Sequence, residues 1–252
     1  MDRVDSTARR VVLVTGASRS IGAETARRLA APDVHVVINY REKSKRAQAV
    51  VDDIIAAGGS ASAIGADLAS TADVTAMVGQ IGEQFGRLDA VVLNASGGLE
   101  RDAEPGYALR INRDAQVRLT GLVVPLMPPG GRIVFVTSHQ AHFHSTGRAL
   151  PEGYEPIAAS KRAGEDALRA LIPEFGTRGI EFVVVSGDMV DGTIIVRLLE
   201  RRDPGAVAAR RSTGQLPTLD QFADAIVQAL DAPVPDGHTV YIGGDDYLIP
   251  ST

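Results

Sequence analysis

Short apolar runs alternate with helical patterns along nearly the whole chain of 252 residues. Runs rich in Val, Ile and Leu are typical of strands that are buried on both faces, as in a parallel sheet covered by helices. Strands are predicted at about residues 11–15, 34–39, 61–65, 88–93, 131–137, 180–185 and 238–242.

The segments between these strands have the periodicity of helices. Helices are predicted at about residues 21–31, 44–57, 71–85, 107–126, 156–175, 193–211 and 219–230. Repeated βα units predict an α/β fold, namely a single doubly wound Rossmann-type domain with a mostly parallel seven-stranded sheet and helices on both faces. No repeat or linker divides the chain, so residues 1–252 are expected to form one domain with a flexible tail at residues 1–9.

The composition argues against several classes of function. The chain has no Cys, which excludes disulfides and thiolate chemistry, and we expect no metal site because its His residues have no suitably spaced partners. A net charge of −5 and few aromatic residues (6 Phe, 5 Tyr and no Trp) argue against nucleic acid as a partner. No apolar run is long enough for a membrane span and the first residues do not resemble a signal peptide, so we expect a cytoplasmic protein.

A glycine-containing loop, Thr15-Gly16-Ala17-Ser18-Arg19-Ser20-Ile21-Gly22, joins the first strand to the first helix. Small residues at this point allow the backbone to approach a pyrophosphate, and the helix N-terminus supplies free N–H groups and positive potential. The alternative is structural: Gly16 would form a turn and Gly22 would allow close packing.

The second strand ends in Asn39-Tyr40-Arg41, where dinucleotide-binding folds contact the adenosine ribose. These residues include no acidic side chain to accept a hydrogen bond from a ribose 2′-hydroxyl. Arg41, together with Arg19, could instead bind a 2′-phosphate, which favours NADP(H). Alternatively, Arg41 begins a solvated helix with Lys43, Lys45 and Arg46.

Asp67-Leu68 follows the third strand, and Asn94-Ala95-Ser96 follows the fourth. Together with the glycine loop, these segments resemble those of the short-chain dehydrogenase/reductase family, in the same order along the chain. Ser20 and Ser96 stand where the family usually has Gly, and they should cost little unless their backbone is left-handed. The motifs and the resemblance give a full set of expected cofactor contacts: Gly16, Ser18, Arg19, Ser20, Ile21, Gly22, Asn39, Tyr40, Arg41, Asp67, Leu68, Asn94, Ala95, Ser96, Lys161, Ser186 and Gly187.

The resemblance also implies an active site of Asn, Ser, Tyr and Lys, with the last two four residues apart on one helical face. Asn112, Ser138 and Lys161 match this pattern, but Ile157 stands four residues before the lysine. Tyr154 is the nearest other phenol, and it is placed in the loop before the helix because Pro156 suits a first helical turn. It is expected either to replace the missing phenol or to be a partly buried loop residue.

Two further segments flank the predicted site. The region from Ser138 to Pro156 contains His139, His142 and His144, which we interpret as part of a polar loop over the pocket, with proton donation as the alternative. In this family, residues equivalent to about 193–217 typically form a substrate lid. Its arginines are interpreted mainly as a solvated helical face, with attraction of an anionic substrate or carrier protein as the alternative.

The leading hypothesis is therefore an NADP(H)-dependent oxidoreductase that reduces a ketone or a quinone-like compound. Its proton would come from Tyr154, a loop histidine, water or the substrate's own hydroxyl. Two alternatives remain: a catalytically retired NADP(H)-binding sensor or assembly protein, and dehydratase or isomerase chemistry on the same scaffold. The resemblance also implies a homo-oligomer, either a dimer or a tetramer.

Overall fold

A parallel sheet of seven strands forms the centre of the protein, as predicted. The computed structural model describes residues 9–99, 104 and 106–248, so most of the predicted tail lies outside the described residues. The strand order is β3-β2-β1-β4-β5-β6-β7, and all neighbouring pairs are parallel. The strands are β1 (Arg10–Val14), β2 (Val34–Tyr40), β3 (Ser60–Gly65), β4 (Ala90–Leu93), β5 (Arg132–Ser138), β6 (Glu181–Gly187) and β7 (Thr239–Ile242).

Helices connect the strands and cover both faces of the sheet. The α-helices are α1 (Ser20–Arg28), α2 (Ser44–Ala56), α3 (Thr71–Phe85), α4 (Tyr107–Leu109), α5 (Ala115–Val123), α6 (His139–His142), α7 (Glu155–Arg169), α8 (Ile172–Thr177), α9 (Ile194–Arg202), α10 (Pro204–Thr213) and α11 (Leu219–Ala229). A π-helical turn covers Arg110–Asp114, and 3₁₀ turns cover Val124–Leu126, His144–Thr146 and Asp245–Leu248. Within the described ranges, no helix has the length and apolarity that a membrane span requires.

Apolar side chains of the buried strands alternate between the two faces of the sheet, and each face belongs to its own apolar layer. Leu13 belongs to one layer, which includes Met77 of α3 and Leu119 of α5. Its neighbour Val12 belongs to the other layer, with Ile54 of α2 and Phe222 of α11. Successive side chains of a strand point to opposite faces, so each strand contributes to both layers. Both faces of the sheet are therefore buried, and its carboxyl edge is left for a ligand.

Proline divides two segments that were predicted as continuous helices. The segment 156–175 separates into α7 and α8, with Pro173 in the first turn of α8. The segment 193–211 separates at Pro204, and Asp203 caps α10 by accepting a hydrogen bond from the backbone N of Ala206 at 2.9 Å. Proline has no N–H and its ring obstructs the preceding turn, which explains both breaks.

A buried histidine makes the stability of the sheet dependent on pH. The side chain of His35 in β2 is only 9% exposed, and its ring nitrogens lie 2.8 Å from Ser60 Oγ and 2.9 Å from Ser62 Oγ. Burial, assisted by the nearby charge of Arg9, lowers the pKa of His35 from 6.5 to about 4. The unfolded chain therefore binds a proton between these pH values that the folded protein does not bind.

We predict that His35→Gln reduces the acid sensitivity of the fold. In the wild type, this histidine should lower the free energy of unfolding by up to roughly 3 kcal/mol as the pH falls from 6.5 to 4. Urea unfolding at several pH values measures the difference, with His144→Gln as a control that retains His35. An equal acid-induced loss in the wild type and His35→Gln would contradict the prediction.

Candidate functional site

A cavity of about 550 Å³ lies at the carboxyl edge of the sheet and extends from the glycine loop to α7 and α9. This is the edge at which open parallel sheets bind ligands, and the volume is typical of a small-molecule site. The predicted cofactor residues that line it are Gly16, Ser18, Arg19, Ser20, Ile21, Gly22, Asn39, Tyr40, Arg41, Asp67, Leu68, Asn94, Ala95, Ser96 and Lys161.

Thr15 and Asn94 connect the ends of β1 and β4. The Thr15 hydroxyl donates to the carbonyl oxygen of Val92 at 3.1 Å, and it accepts from the backbone N of Asn94 at 2.9 Å and of Ala95 at 3.0 Å. The Asn94 side chain donates back to the Thr15 carbonyl oxygen at 2.9 Å. These bonds join the ends of the two strands, and they fix the start of the glycine loop.

Asn39 connects the same loop to β3. Its Oδ1 accepts from the backbone N of Gly16 at 3.3 Å, and its Nδ2 donates to the carbonyl oxygen of Ala66 at 3.1 Å. The side chain is almost fully buried. Asn39 thus shapes the cavity by holding the loop, and its polar atoms are already engaged.

The loop itself provides space and free donors for a phosphate. Gly16 has a φ of +63°, and a Cβ atom there would lie 3.0 Å from Ala95 Cα. A Cβ atom on Gly22 would lie 2.6 Å from Asn94 Nδ2. The helix α1 begins at Ser20 without a side-chain cap, so its first N–H groups remain available to an anion. These features fit the pyrophosphate of a dinucleotide.

Ser20 departs from the expectation for this loop. A serine in place of glycine was expected to cost little unless its backbone was left-handed, and Ser20 has a φ of +52°. It is the single non-glycine residue with positive φ among those that the structure describes, whereas Ser96 avoids this region. The left-handed conformation of a residue with a Cβ atom costs about 1–2 kcal/mol, so the loop is strained at Ser20.

Basic side chains line the part of the cavity beside the glycine loop. Arg19, Arg41, Lys43 and Arg46 all line it. Arg41 Nη1 donates to the Tyr107 hydroxyl at 2.7 Å, and its Nε lies 3.1 Å from Glu42 Oε1. The arginines could be identified from the sequence, but their contacts with Tyr107 and Glu42 could not, because these contacts depend on side-chain packing.

Ser138 and Tyr154 meet at the inner wall of the cavity. Ser138 Oγ lies 3.4 Å from the Tyr154 hydroxyl, although the two residues are 16 positions apart in sequence. Tyr154 directly precedes α7 and is 6% exposed. Burial raises the pKa of its phenol, which the contact with Ser138 partly offsets, so the phenol is protonated at neutral pH.

Lys161 lines the same cavity one helical turn after Ile157. Burial lowers the pKa of Lys161 to about 8, and the carboxylate of Glu165, one turn further along α7, opposes this shift. Across the described parts of the chain, no hydrogen bond or ion pair is found for its ammonium group. Its donors are therefore available for the hydroxyl groups of a ligand.

Asn112 lies behind the cavity wall, in the π-helical turn. Its Nδ2 donates to the Gly97 carbonyl oxygen at 3.0 Å and to Ser160 Oγ at 2.9 Å, while its Oδ1 accepts from the backbone N of Gly97 at 3.2 Å. A Cβ atom on Gly164 would lie 2.1 Å from the Asn112 carbonyl oxygen, so α7 packs directly against this turn. The side chain of Asn112 holds the segment after β4 against α7, and it does not line the cavity.

The three loop histidines lie outside the cavity. The Nδ1 atom of His139 shares a hydrogen bond of 2.8 Å with Ser186 Oγ, and its Nε2 lies 2.7 Å from the Gly243 carbonyl oxygen. Burial lowers the pKa of this ring. The rings of His142 and His144 bond the carboxylates of Glu165 and Glu155. The interpretation that these three histidines form a polar loop over the pocket was wrong, because each ring is hydrogen-bonded to a group outside the cavity.

Ser186 and Gly187 also do not line the cavity, although both were expected to contact the cofactor. The Ser186 hydroxyl bonds His139, and a Cβ atom on Gly187 would lie 1.7 Å from the Phe222 ring. Both residues are still paired within the sheet, and the chain reaches the cavity only at Asp188.

Four of the five lid arginines, Arg197, Arg201, Arg202 and Arg211, are exposed, which agrees with the interpretation of a solvated face, and Arg210 is the exception. Arg210 bonds Asp188 through Nε at 2.7 Å and Asp246 through Nη2 at 2.6 Å. Arg211 pairs with Asp191. Asp188 lines the cavity, so Arg210 connects the cavity wall to α10 and to the 3₁₀ turn near the C-terminus. In the described parts of the chain, no group of His, Asp and Glu residues could hold a metal ion.

A family model described as short chain dehydrogenase matches residues 10–203. The chain belongs to this family. It is 34% identical to 1-cyclohexenylcarbonyl-CoA reductase of Streptomyces collinus over 189 residues, covering 73% of this chain and 65% of that protein. It is 35% identical to hydroxynaphthalene reductase arp2 of Aspergillus fumigatus, covering 68% of this chain and 62% of that protein. The matches thus span less than two thirds of either relative.

The fold is also similar to solved structures. A short chain dehydrogenase from Burkholderia cenocepacia J2315, crystallised in complex with NADP, superposes with a TM-score of 0.79 at 31% identity. The match covers 96% of this chain and 98% of the other. The predicted doubly wound fold is therefore confirmed by both the sheet order and this similarity.

We predict that Ser20→Gly raises the Tm of the ligand-free protein by about 1–3 °C. Relief of left-handed strain, about 1–2 kcal/mol, exceeds the entropy cost of glycine, about 0.5–1 kcal/mol. Ser18→Gly is the matched control, and it should lower the Tm because Ser18 has no positive φ to relieve. Calorimetry measures both, and a Tm for Ser20→Gly at or below that of the wild type would contradict the strain.

Proposed function

We propose that this protein is an NADP(H)-dependent reductase of ketone groups in small, largely apolar cyclic compounds, with Tyr154 as its proton donor. The observation that carries the proposal is the 3.4 Å approach of the Tyr154 hydroxyl to Ser138 Oγ, inside the cavity that Lys161 and the glycine loop also line. Family membership supports a reductase, as do the names of both relatives, 1-cyclohexenylcarbonyl-CoA reductase and hydroxynaphthalene reductase.

Residues at both ends of the cavity fit NADP(H). The glycine loop and the start of α1 would hold the pyrophosphate, while Arg19 and Arg41 would bind a 2′-phosphate. Lys161 would bind the hydroxyl groups of the nicotinamide ribose. When bound, the nicotinamide supplies the two electrons of the reduction.

Ser138 and Tyr154 can act on one oxygen atom. Two hydroxyls that are 3.4 Å apart can both donate to one acceptor that forms a triangle with them and lies at an ordinary hydrogen-bond distance from each. Ser138 would orient the substrate carbonyl, and Tyr154 would donate its proton as negative charge develops on the oxygen. The charge of Lys161 would favour loss of that proton.

Ile157 occupies the place that the family motif gives to the acid–base tyrosine, and we propose that the chain is an atypical member in this respect. Ile157 packs in an apolar cluster with Leu99, Tyr154, Met189 and Leu199. All five residues line the cavity. An apolar wall around two hydroxyl groups favours a ring system with a polar edge, such as a cyclic ketone or a quinone.

The domain organisation, location and assembly of the protein are also proposals. The family relationship supports one domain, a substrate lid at about residues 193–217, which contains α9 and α10, and a homo-oligomer. The cytoplasmic location is proposed on the sequence alone. Light scattering of the purified chain would determine whether it is a dimer or a tetramer.

We predict that Tyr154→Phe lowers kcat for NADPH-dependent ketone reduction by about 10²–10⁴-fold, because general acid catalysis contributes that much. The KM for the ketone should change little, since the aromatic ring remains. Loss of NADPH absorbance with a panel of cyclic ketones and polycyclic quinones measures the rates. Tyr241→Phe is the matched control, because Tyr241 lies outside the cavity and bonds His142.

Ile157→Tyr tests the alternative of a retired site. If the wild type oxidises no NADPH with any member of the panel and Ile157→Tyr does, the reductase proposal fails and a retired NADP(H)-binding protein is supported. Full activity of Tyr154→Phe would remove Tyr154 as the donor. Product formed without any change in NADPH would instead support dehydratase or isomerase chemistry.

We predict that Arg41→Ala weakens NADPH binding by about 10–100-fold, because a charge-assisted bond to phosphate is worth roughly 1.5–3 kcal/mol. NADH binding should not change. Titration calorimetry compares the two cofactors, with Lys45→Ala as a control from the same basic run that does not line the cavity. Equal losses for NADPH and NADH would contradict the role of Arg41.

A further inference from the structure

Tyr107 contacts Arg41, the arginine to which we assign the 2′-phosphate, from a different wall of the cavity. Its hydroxyl accepts a hydrogen bond from Arg41 Nη1 at 2.7 Å, although the two residues are 66 positions apart in sequence. Arg41 follows β2 and Tyr107 begins α4, which follows β4, and these two strands lie on opposite sides of β1. Both residues line the cavity, so the bond connects two of its walls.

The tyrosine is the fixed member of this pair. Its ring is partly buried and packs against the apolar layer that contains Leu13 and Leu119. Arg41 follows directly after the last residue of β2, and its side chain is 45% exposed. An exposed arginine has several rotatable bonds that a ligand must immobilise, whereas a tyrosine with a packed ring has little freedom left to lose. The Tyr107 hydroxyl therefore restrains a side chain that is intrinsically flexible.

The contact between Arg41 and Glu42 does not provide the same restraint. Arg41 Nε lies 3.1 Å from Glu42 Oε1, but Glu42 is the next residue in the chain and is itself exposed. It moves with the same loop, so it does not fix the guanidinium relative to the other wall. A guanidinium carries several N–H donors in a planar fork, and the Tyr107 hydroxyl accepts from one nitrogen. A phosphate can therefore bind Arg41 while the bond to Tyr107 remains.

We propose that Tyr107 is a positioning residue that makes the protein selective for NADP(H) by holding Arg41 in place for the 2′-phosphate. This inference rests on the role of Arg41 in the proposed function and extends it to a residue on another wall of the cavity. Because the ligand-free protein already restrains Arg41, binding of the phosphate immobilises less of the side chain. NADH has no 2′-phosphate, so the restraint on Arg41 contributes nothing to its binding.

A double-mutant cycle of Tyr107→Phe and Arg41→Ala tests this coupling, with binding of NADPH and NADH measured by titration calorimetry. Tyr107→Phe keeps the ring but removes the hydroxyl, and it should weaken NADPH binding by about 3–10-fold while NADH binding stays unchanged. In the Arg41→Ala background, the same change should have no further effect on NADPH binding. Tyr241→Phe removes a hydroxyl outside the cavity, and this matched control should bind both cofactors as the wild type does.

Three results would overturn the inference. Equal losses for NADPH and NADH in Tyr107→Phe would show that the hydroxyl only supports the fold. An undiminished effect of Tyr107→Phe in the Arg41→Ala background would show that Tyr107 acts independently of Arg41. Tighter NADPH binding by Tyr107→Phe would show that the hydroxyl withholds Arg41 from the phosphate.

The same cycle separates this inference from the proposed function. If Arg41→Ala weakens NADPH binding and Tyr107→Phe does not, the inference fails and the role of Arg41 stands. If neither change weakens NADPH binding, both fail. Since the readout is cofactor binding, the result does not depend on whether any ketone is reduced.

Discussion

The Thr15 hydroxyl forms three hydrogen bonds at the junction of β1 and β4, and the geometry of the site depends on them. They join the start of the glycine loop to the segment that follows β4. Asn39 extends the connection to β2 and β3. Backbone groups at strand ends would otherwise bond water, and the loop would then lack a fixed position relative to the sheet.

The cavity beside these strand ends has two regions with different chemistry. One end combines free N–H groups with basic side chains around Arg41, which suits phosphates. The other end combines the hydroxyls of Ser138 and Tyr154 with an apolar wall. In the proposed reaction, the apolar wall would exclude water and so strengthen the effect of these hydroxyls on the reacting oxygen.

Much of the fold follows from the sequence because burial on both faces leaves a strong apolar signal in each strand. The ends of α7 and α9 were harder to predict, since Pro173 and Pro204 suit a first helical turn as well as a break. The glycine loop was also recognisable, but the positive φ of Ser20 was not, because glycine is the residue that usually marks such a conformation.

The candidate site was predicted less completely than the fold. Ser138 and Lys161 could be placed from motif positions next to strand and helix ends. The approach of Tyr154 to Ser138, which are 16 positions apart in sequence, depends on how the loop after β5 folds. The histidines of this loop were misinterpreted for the same reason: sequence shows a titratable ring, but not the partner that it bonds.

The central claim is that the Tyr154 phenol delivers the proton, and site-specific replacement by 3-fluorotyrosine tests it most directly. Fluorine makes the phenol more acidic, while reduction requires its protonated form. The account predicts that the alkaline limb of the kcat/KM profile for ketone reduction moves to lower pH with fluorotyrosine at position 154, and does not move with fluorotyrosine at position 241. An alkaline limb that stays in place with fluorotyrosine at position 154 would contradict it.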